Sequence, residues 1–462
     1  MICAIITTYH NAGKLADVIS HTARYIHDII VVDDNSDEKF EVLRIKTPVT
    51  IVHCPLKTGK GYALKQGLRK AIKMGFSHAL TIDCDGQHSV ENIPLLLTIS
   101  RQQPDCFIVE NRTVTLDNSS KYHIFAEKFC EYMFTMQTSI HLPYIRQSGM
   151  HLYPLNCLHG LSLLTSHDAE LELLVFAAWA GEKIVSVPIQ CGHVSKEKRV
   201  LHFSTVYDFF RITIVNSILC LVAVIYGLPR RWWRSILYGP WFMFCWIIGL
   251  LVTFCCKILH TSTQTYRKLF HYGASILMHT FPASPFRIQR KGGYLPMDYP
   301  AVYIANHTSL FDILAVVAIH PNLTIIAQNW VFNNPFFAPT AHMAGFLSVS
   351  NGFDTIVSKA QEEVESGASV LIFPEGGRSQ FGILRRFHRG AFKLTEILHL
   401  PIQPVVITGM FKLMSKGELY IGKSKMIATL MPAIMPDDNS WGENGLQRSK
   451  SIQRYYEQLL NT

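Results

Sequence analysis

Charge is scarce in this chain. Only 17% of its 462 residues are Asp, Glu, Lys or Arg, against 48% hydrophobic, and the mean hydropathy is +0.17. That balance suits a membrane-associated protein better than an ordinary soluble enzyme. Patterned cysteine is missing as well. The 11 cysteines show no Cys-x-x-Cys spacing, which points to neither a zinc site nor a disulfide framework and leaves reduced thiols as the simpler account. The net charge of +9 comes without a basic helix or a basic patch interleaved with aromatics. Nucleic acid is therefore excluded as a partner, and attraction to anionic lipid fits. There is no internal repeat and no low-complexity segment. The first residues run almost directly into a strand, so no cleaved signal peptide is expected.

What is present names a reaction. In NHTSLFD (306–312), His307 closes the apolar run VYIAN (302–306) and Asp312 follows five positions later. Residues five apart on an ideal helix point about 140° away from each other, so these two side chains can meet only if His307 precedes the helix. Ser309 and Asp312 read as an N-cap and its N3 partner, opening an apolar helix over 310–319. His307 then sits at a strand-to-helix turn. There a carboxylate can orient one ring nitrogen while the other takes a proton from a hydroxyl, which is what acyl transfer to an alcohol needs. The helix N-terminus nearby favours developing negative charge. A second string, FPEGGRS (373–379), ends another short apolar strand in a Pro-Glu-Gly-Gly turn beside Arg378, a fork suited to phosphate or carboxylate.

Residues 262–462 resemble the glycerolphosphate and lysophosphatidic acid acyltransferases. NHTSLFD matches their His-x-x-x-x-Asp motif, FPEGGRS their Phe-Pro-Glu-Gly-x-Arg-Ser motif, and LPIQPVVI (400–407) their closing hydrophobic motif. The resemblance implies His307 as the base, Asp312 as the residue orienting it, Glu375, Gly376 and Arg378 as ligands of the acceptor's head group, and no cofactor. One departure stands out. GFLSVSNG (345–352) carries Ser350 and Asn351 where the family usually has an arginine, which weakens phosphate recognition and opens the acceptor class beyond simple lysophosphatidic acid.

The first half has its own pattern. CAIITTY (3–9), DIIVVDD (28–34), VTIVHC (49–54) and HALTIDCD (78–85) are apolar runs with polar ends, separated by helical stretches such as 62–74. This alternation predicts a doubly wound α/β sheet with ligands at the carboxyl ends of its strands. Asp83 and Asp85 flank Cys84, which reads as a space-filling residue. Positions two apart in extended chain project to one side, so both carboxylates can face one divalent cation, and Gln87 can add an amide oxygen. Magnesium or manganese takes such ligands and binds diphosphate with its remaining positions. Asp33 and Asp34 end the earlier strand, and KTGKGYALKQG (57–67) supplies a flexible turn containing Lys60.

This half resembles the family 2 glycosyltransferases, and within them the dolichol-phosphate mannose and polyprenol-phosphate glucose synthases. TTYHNAGKL (7–15), VVDDNS (31–36) and TIDCDGQH (81–88) stand for the family's opening motif, nucleoside-binding strand end and metal motif. The resemblance implies a nucleotide-sugar site at Thr8, Tyr9, Asp34, Lys60 and Arg112, and a metal site at Asp83, Asp85 and Gln87. Thr7 replaces the usual proline. In IRQSGMHLYP (145–154), Ile145 stands where the family has an aspartate and His151 where it has an arginine. An inverting transfer needs a base on the acceptor hydroxyl unless the acceptor is already an anion; Glu170 and Glu172 are the candidates to replace it.

Between the halves, residues 212–228 and 235–256 are apolar stretches joined by PRRWWR (229–234), and the second is long enough to span a bilayer. Nucleotide sugars and acyl thioesters are both cytosolic, which excludes a single crossing between the two halves. A spanning hairpin would place Arg230, Arg231 and Arg234 on the far side, against the positive-inside tendency. The expected arrangement is a monotopic, re-entrant hairpin broken at Pro240, with the arginines at cytosolic head groups.

The expected architecture is thus a GT-A-like α/β domain over 1–205, a membrane-associated helical hairpin over 206–261 and an α/β acyltransferase domain over 262–462. The expected protein is a bifunctional enzyme of the cytoplasmic (inner) membrane with both domains facing the cytoplasm. It takes a nucleotide sugar with magnesium or manganese, and an acyl chain from acyl-carrier protein or coenzyme A, and delivers them to a lipid acceptor in the bilayer. The alternative is an acyltransferase whose sugar-transferase half only binds.

Overall fold

The computed structural model describes residues 1–10, 12–36, 47–57, 59–84, 90–113, 121–140, 150–158, 169–190, 205–281, 285–379, 381–418 and 420–461. Contacts divide the chain into two α/β units, Met1–Trp232 and Trp233–Thr462.

In the first unit, short runs rich in Ile and Val with no alternation give strands covered on both faces, as in a parallel sheet. The strands are β1 (Ile2–Thr8), β2 (Ile29–Asp33), β3 (Val49–His53), β4 (His78–Asp83), β5 (Cys106–Thr113), β6 (His151–Pro154) and β7 (Lys183–Gln190). They form one sheet in the order β3-β2-β1-β4-β6-β5-β7, parallel except where β6 pairs antiparallel with β4 and β5. The helix Lys60–Lys73 lies over β1. Gly67 makes that approach possible, because a Cβ there would stand 2.6 Å from the Ile5 side chain. The strand order reverses between β1 and β4, and in doubly wound sheets ligands bind outside the carboxyl ends at such a switch point. Thr8, Asp33 and Asp83 occupy those ends.

The second unit continues with β8 (Phe286–Arg290), β9 (Val302–Ala305), β10 (Leu323–Ala327), β11 (Leu347–Ser348), β12 (Ser369–Ile372), β13 (Ile402–Thr408) and β14 (Met426–Leu430). Their order is β11-β10-β12-β9-β13-β14-β8, and only the β13–β14 pair is antiparallel. β9 is the central strand, with β12 and β13 parallel on either side. Pro404 lies within β13 opposite Ile304 and has no N–H for the ladder. The hydroxyl of Tyr456, buried on the helix Gly445–Leu460, fills this gap. It donates to the Ile304 carbonyl at 2.5 Å and accepts from the Val405 N–H at 3.0 Å. Two positions on, the Asn306 side chain donates to the Ile407 carbonyl and accepts from the Ile407 N–H, both at 2.8 Å. These contacts fix the carboxyl end of β9, where His307 follows.

The apolar middle of the chain corrects the expected hairpin. Helix Thr205–Val222 passes through a π-turn at Ala223–Gly227 into helix Leu228–Ile258 without reversing. Within it, Thr213–Ile258 is the one described helix long and apolar enough to cross a membrane by length and composition. Pro240 sits inside the helix rather than breaking it, as apolar helices tolerate where neighbours re-satisfy the freed carbonyl. PRRWWR is helical too. Arg231 is not at a lipid surface: it is buried and donates to the Ala178 carbonyl at 3.0 Å. At Gly227 a Cβ would overlap the Trp179 ring, so only glycine fits under that indole. In the second unit Tyr238, Phe242 and Cys245, at helical spacing, pack on the core. Ile247, Leu251 and Phe254 remain 49%, 58% and 62% exposed, an apolar face of the kind that marks a lipid or protein contact.

Candidate functional site

Two sites emerge, one in each unit. In the second unit, β9 delivers Asn306 and His307, and the short helix Phe311–Val317 begins after Leu310. Asp312 is fully buried, and its Oδ2 accepts from the Thr308 N–H at 2.5 Å and the Ser309 N–H at 2.7 Å. This is the acidic half of the expected capping box. The reciprocal half is altered, because the Ser309 hydroxyl donates to the Met414 carbonyl and accepts from the Phe311 N–H. Local backbone bonding thereby holds Asp312 toward the preceding turn, where Oδ2 lies 3.2 Å from His307 Nδ1. The imidazole stacks on Phe373 at 4.2 Å between centroids. Its Nε2 has no protein hydrogen-bond partner among the described residues. The arrangement can therefore hold one tautomer, with Nδ1–H toward the carboxylate and Nε2 ready to accept a proton.

FPEGGRS follows β12, the strand next to β9, so the two motifs meet at adjacent strand ends. Glu375 is buried with both oxygens on backbone N–H groups: His307 at 2.7 Å and Arg385 at 2.9 Å. The sequence reading placed this carboxylate on the acceptor's head group, whereas the structure turns it inward as a clamp across three segments. Burial pushes its pKa up to about 7, although both N–H contacts oppose that. Gly376 has φ +68°, and a Cβ there would stand 3.1 Å from the His388 ring, so the turn needs glycine. Arg378 is half-buried; burial lowers its pKa while the Asp312 carboxylate works against that. Ser350 is exposed, its hydroxyl 2.7 Å from that of Ser348.

In the first unit, Asp34 Oδ2 accepts from the Gly59 N–H at 2.9 Å, tying the end of β2 to the turn before the Lys60 helix. Asp33 accepts from the Ser36 N–H at 3.1 Å and contacts His53 Nδ1 at 3.1 Å. Tyr9 carries the Lys57 ammonium 3.9 Å above its ring, and Thr8 is buried at the end of β1. The Lys60 ammonium lies 2.7 Å from Asp83 Oδ1 and 3.1 Å from Glu170 Oε1. Burial works against that charge, but the two carboxylates outweigh it and hold Lys60 above the ordinary lysine range. Arg112 belongs to β5. Asp85, Gln87 and Ile145 lie outside the described residues. His151 is buried in β6 beside Tyr153. Among the described residues no group of three His, Cys, Asp or Glu side chains converges as a metal cluster. Asp83 and Glu170 nonetheless present hard oxygens to one cation, here an ammonium, which is the donor chemistry magnesium and manganese take.

Several positioning groups went unread in the sequence. Phe373 and Asn306 lay within the quoted strings, but their contacts depend on neighbouring strands. Tyr456 and Arg385 lie far from His307 in the chain, and no local spacing signals them. Lys57 over Tyr9 was part of a string read only for its turn.

Comparison with known proteins separates the same two regions. Residues 3–154 match the family model Glycosyl transferase family 2, and residues 287–408 match the family model Acyltransferase. The chain is 29% identical over 187 residues to the chloroplast 1-acyl-sn-glycerol-3-phosphate acyltransferase LPAT1 of Arabidopsis thaliana, covering 38% of this chain and 52% of that protein. It is 27% identical over 165 residues to the 1-acyl-sn-glycerol-3-phosphate acyltransferase of Helicobacter pylori, covering 34% of this chain and 70% of that protein. The chain spans about half the length of the first curated relatives it matches. Among solved structures, PlsC, the 1-acyl-sn-glycerophosphate acyltransferase of Thermotoga maritima, aligns with TM-score 0.39 and 19% identity over 49% of this chain and 95% of that one. Glucosyl-3-phosphoglycerate synthase of Mycobacterium tuberculosis, solved with Mn2+, uridine diphosphate and phosphoglyceric acid, aligns with TM-score 0.38 and 15% identity over 48% of this chain and 78% of that one. The chain thus matches the family 2 glycosyltransferases over residues 3–154 and the acyltransferase family over residues 287–408.

Proposed function

We propose that this protein is a bifunctional membrane enzyme that transfers a sugar from a nucleotide sugar, and an acyl chain from a thioester on acyl-carrier protein or coenzyme A, to a lipid acceptor. The observation that carries the reading is the His307–Asp312 contact of 3.2 Å beside the FPEGG turn, with the other ring nitrogen making no hydrogen bond among the described residues. In this reading His307 Nε2 takes the proton of the acceptor hydroxyl as its oxygen attacks the thioester carbonyl. The imidazolium, stabilised by Asp312, then returns the proton to the leaving thiolate. Gly376 and Arg378 face the acceptor's head group, and Glu375 holds the backbone of His307 in place.

On the sugar side, Thr8, Tyr9 and Asp34 receive the nucleoside, and Lys60 and Arg112 the diphosphate. Asp83, Asp85 and Gln87 would hold a magnesium or manganese ion, whose charge neutralises the diphosphate when it is bound. Both donors are cytosolic, so both sites would face the cytoplasm at the inner membrane, with the helix Thr213–Ile258 lying in the interface rather than separating them. Purified protein given membranes, an acyl thioester and a nucleotide sugar is expected to yield a lipid heavier by one sugar and one acyl chain, read by mass spectrometry. A product carrying neither group would overturn the reading.

The clamp has its own signature. Glu375→Gln sets an amide N–H against a backbone N–H, and an unmet buried donor of this kind is expected to slow acyl transfer by about tenfold to a hundredfold. In the native protein the rate is expected to rise with pH through about 7, as Glu375 loses its proton and both oxygens accept. That step should be missing in the variant. Stability runs the other way: the folded value is raised, so the contribution is full below the unfolded carboxyl's value and lost as pH rises through about 7. Rate–pH and urea-midpoint series on both proteins check this, and superimposable profiles would remove Glu375 from the positioning role.

A further inference from the structure

Lys60 stands at the first position of its helix, with a side chain 36% exposed on a flexible stem. Its ammonium does not point into open solvent. It bridges Asp83 at the end of β4 and Glu170 in the first turn of helix Ala169–Ala180, at 2.7 Å and 3.1 Å. Asp83 is also the residue that a divalent cation would use, and Glu170 supplies a second, buried carboxylate. An ammonium this close and a divalent cation on the same carboxylate repel each other strongly in a partly desolvated site. A bound metal and the observed Lys60 position therefore compete.

Resting on the nucleotide-sugar reading of this half, we propose that Lys60 is an exchange cation. It neutralises the Asp83–Glu170 pair while no divalent ion is bound, is displaced when the ion arrives, and then pairs with the diphosphate. The two carboxylates are thus never left buried without a counter-charge, a state that is strongly unfavourable. Metal entry also hands a positive charge to the nucleotide, so the two ligands arrive together.

The exchange predicts opposite effects from one substitution, which a purely structural lysine would not give. Lys60→Met keeps the aliphatic stem and removes the charge; Lys60→Arg keeps the charge. Manganese alone is titrated into the full-length proteins and followed by the paramagnetic resonance of the free ion. Uridine and guanosine diphosphate are then titrated at saturating manganese by calorimetry. Lys60→Met is expected to bind manganese at least about tenfold more tightly than the native protein, a difference of about 1.4 kcal/mol. Its affinity for whichever nucleotide binds is expected to fall by a similar factor, while Lys60→Arg stays within about threefold of native on the metal. Unchanged or weaker manganese binding by Lys60→Met, with native nucleotide binding intact, overturns the exchange and leaves the sugar-transferase reading standing. Manganese binding without nucleotide binding in native and variant alike overturns that reading, and the exchange with it.

Discussion

With alanine at position 307, acyl transfer is expected to fall by about a hundredfold to ten-thousandfold, the range a positioned general base contributes, while sugar transfer continues at the native rate. The substitution is a clean one for geometric reasons. Among the described residues the His307 ring hydrogen-bonds only through Nδ1, to Asp312, and its backbone N–H, which Glu375 accepts, survives in alanine. The fold should therefore persist, and loss of rate reports on chemistry. Asp312 is a poorer probe, because its carboxylate also accepts the Thr308 and Ser309 N–H groups. Asp312→Ala would strip the turn of those acceptors and confound stability with catalysis. Product mass and initial rates for His307→Ala decide the matter: full acyl transfer by that variant would mean the base lies elsewhere.

The second large effect is expected from Asp83→Ala combined with Asp85→Ala. In the proposed reading both carboxylates would hold a divalent ion, whose stabilisation of transition-state charge would be worth several kcal/mol. Sugar transfer is expected to drop by at least about a hundredfold, with acyl transfer unaffected. This double variant also separates the bifunctional reading from an acyltransferase whose first half binds without reacting. In the latter case the lipid products of cells carrying native and variant protein would be the same.

Where the chemistry depends on near neighbours, it was legible in the sequence. The five-residue spacing of His307 and Asp312 required a turn between strand and helix, and the structure has it. The alternation of apolar runs with helical stretches in the first half announced the mostly parallel sheet of the first unit. What was illegible depends on partners far along the chain. Glu375 read as a ligand because its string resembles one, but its direction is set by two backbone N–H groups at 307 and 385. Glu170 could be offered only as a base, since nothing local shows that it meets the ammonium of Lys60, 110 residues earlier, which Asp83 also contacts. Pro240 and the arginines near it suggested a break. An apolar helix whose freed carbonyls are met by neighbours can run through a proline, and sequence alone does not reveal those neighbours.

The latch made by Tyr456 sets an order on biogenesis. The strand that presents the imidazole is missing a ladder bond at Pro404, and the hydroxyl that bridges it is translated about 150 residues after His307. Synthesis at roughly 5–20 residues per second puts several seconds between the two on the ribosome. Through that interval the histidine's strand is only partly secured. The apolar helix at 213–258 has by then already emerged, so its exposed face is available to a lipid surface before the proposed acyl-transfer site is complete.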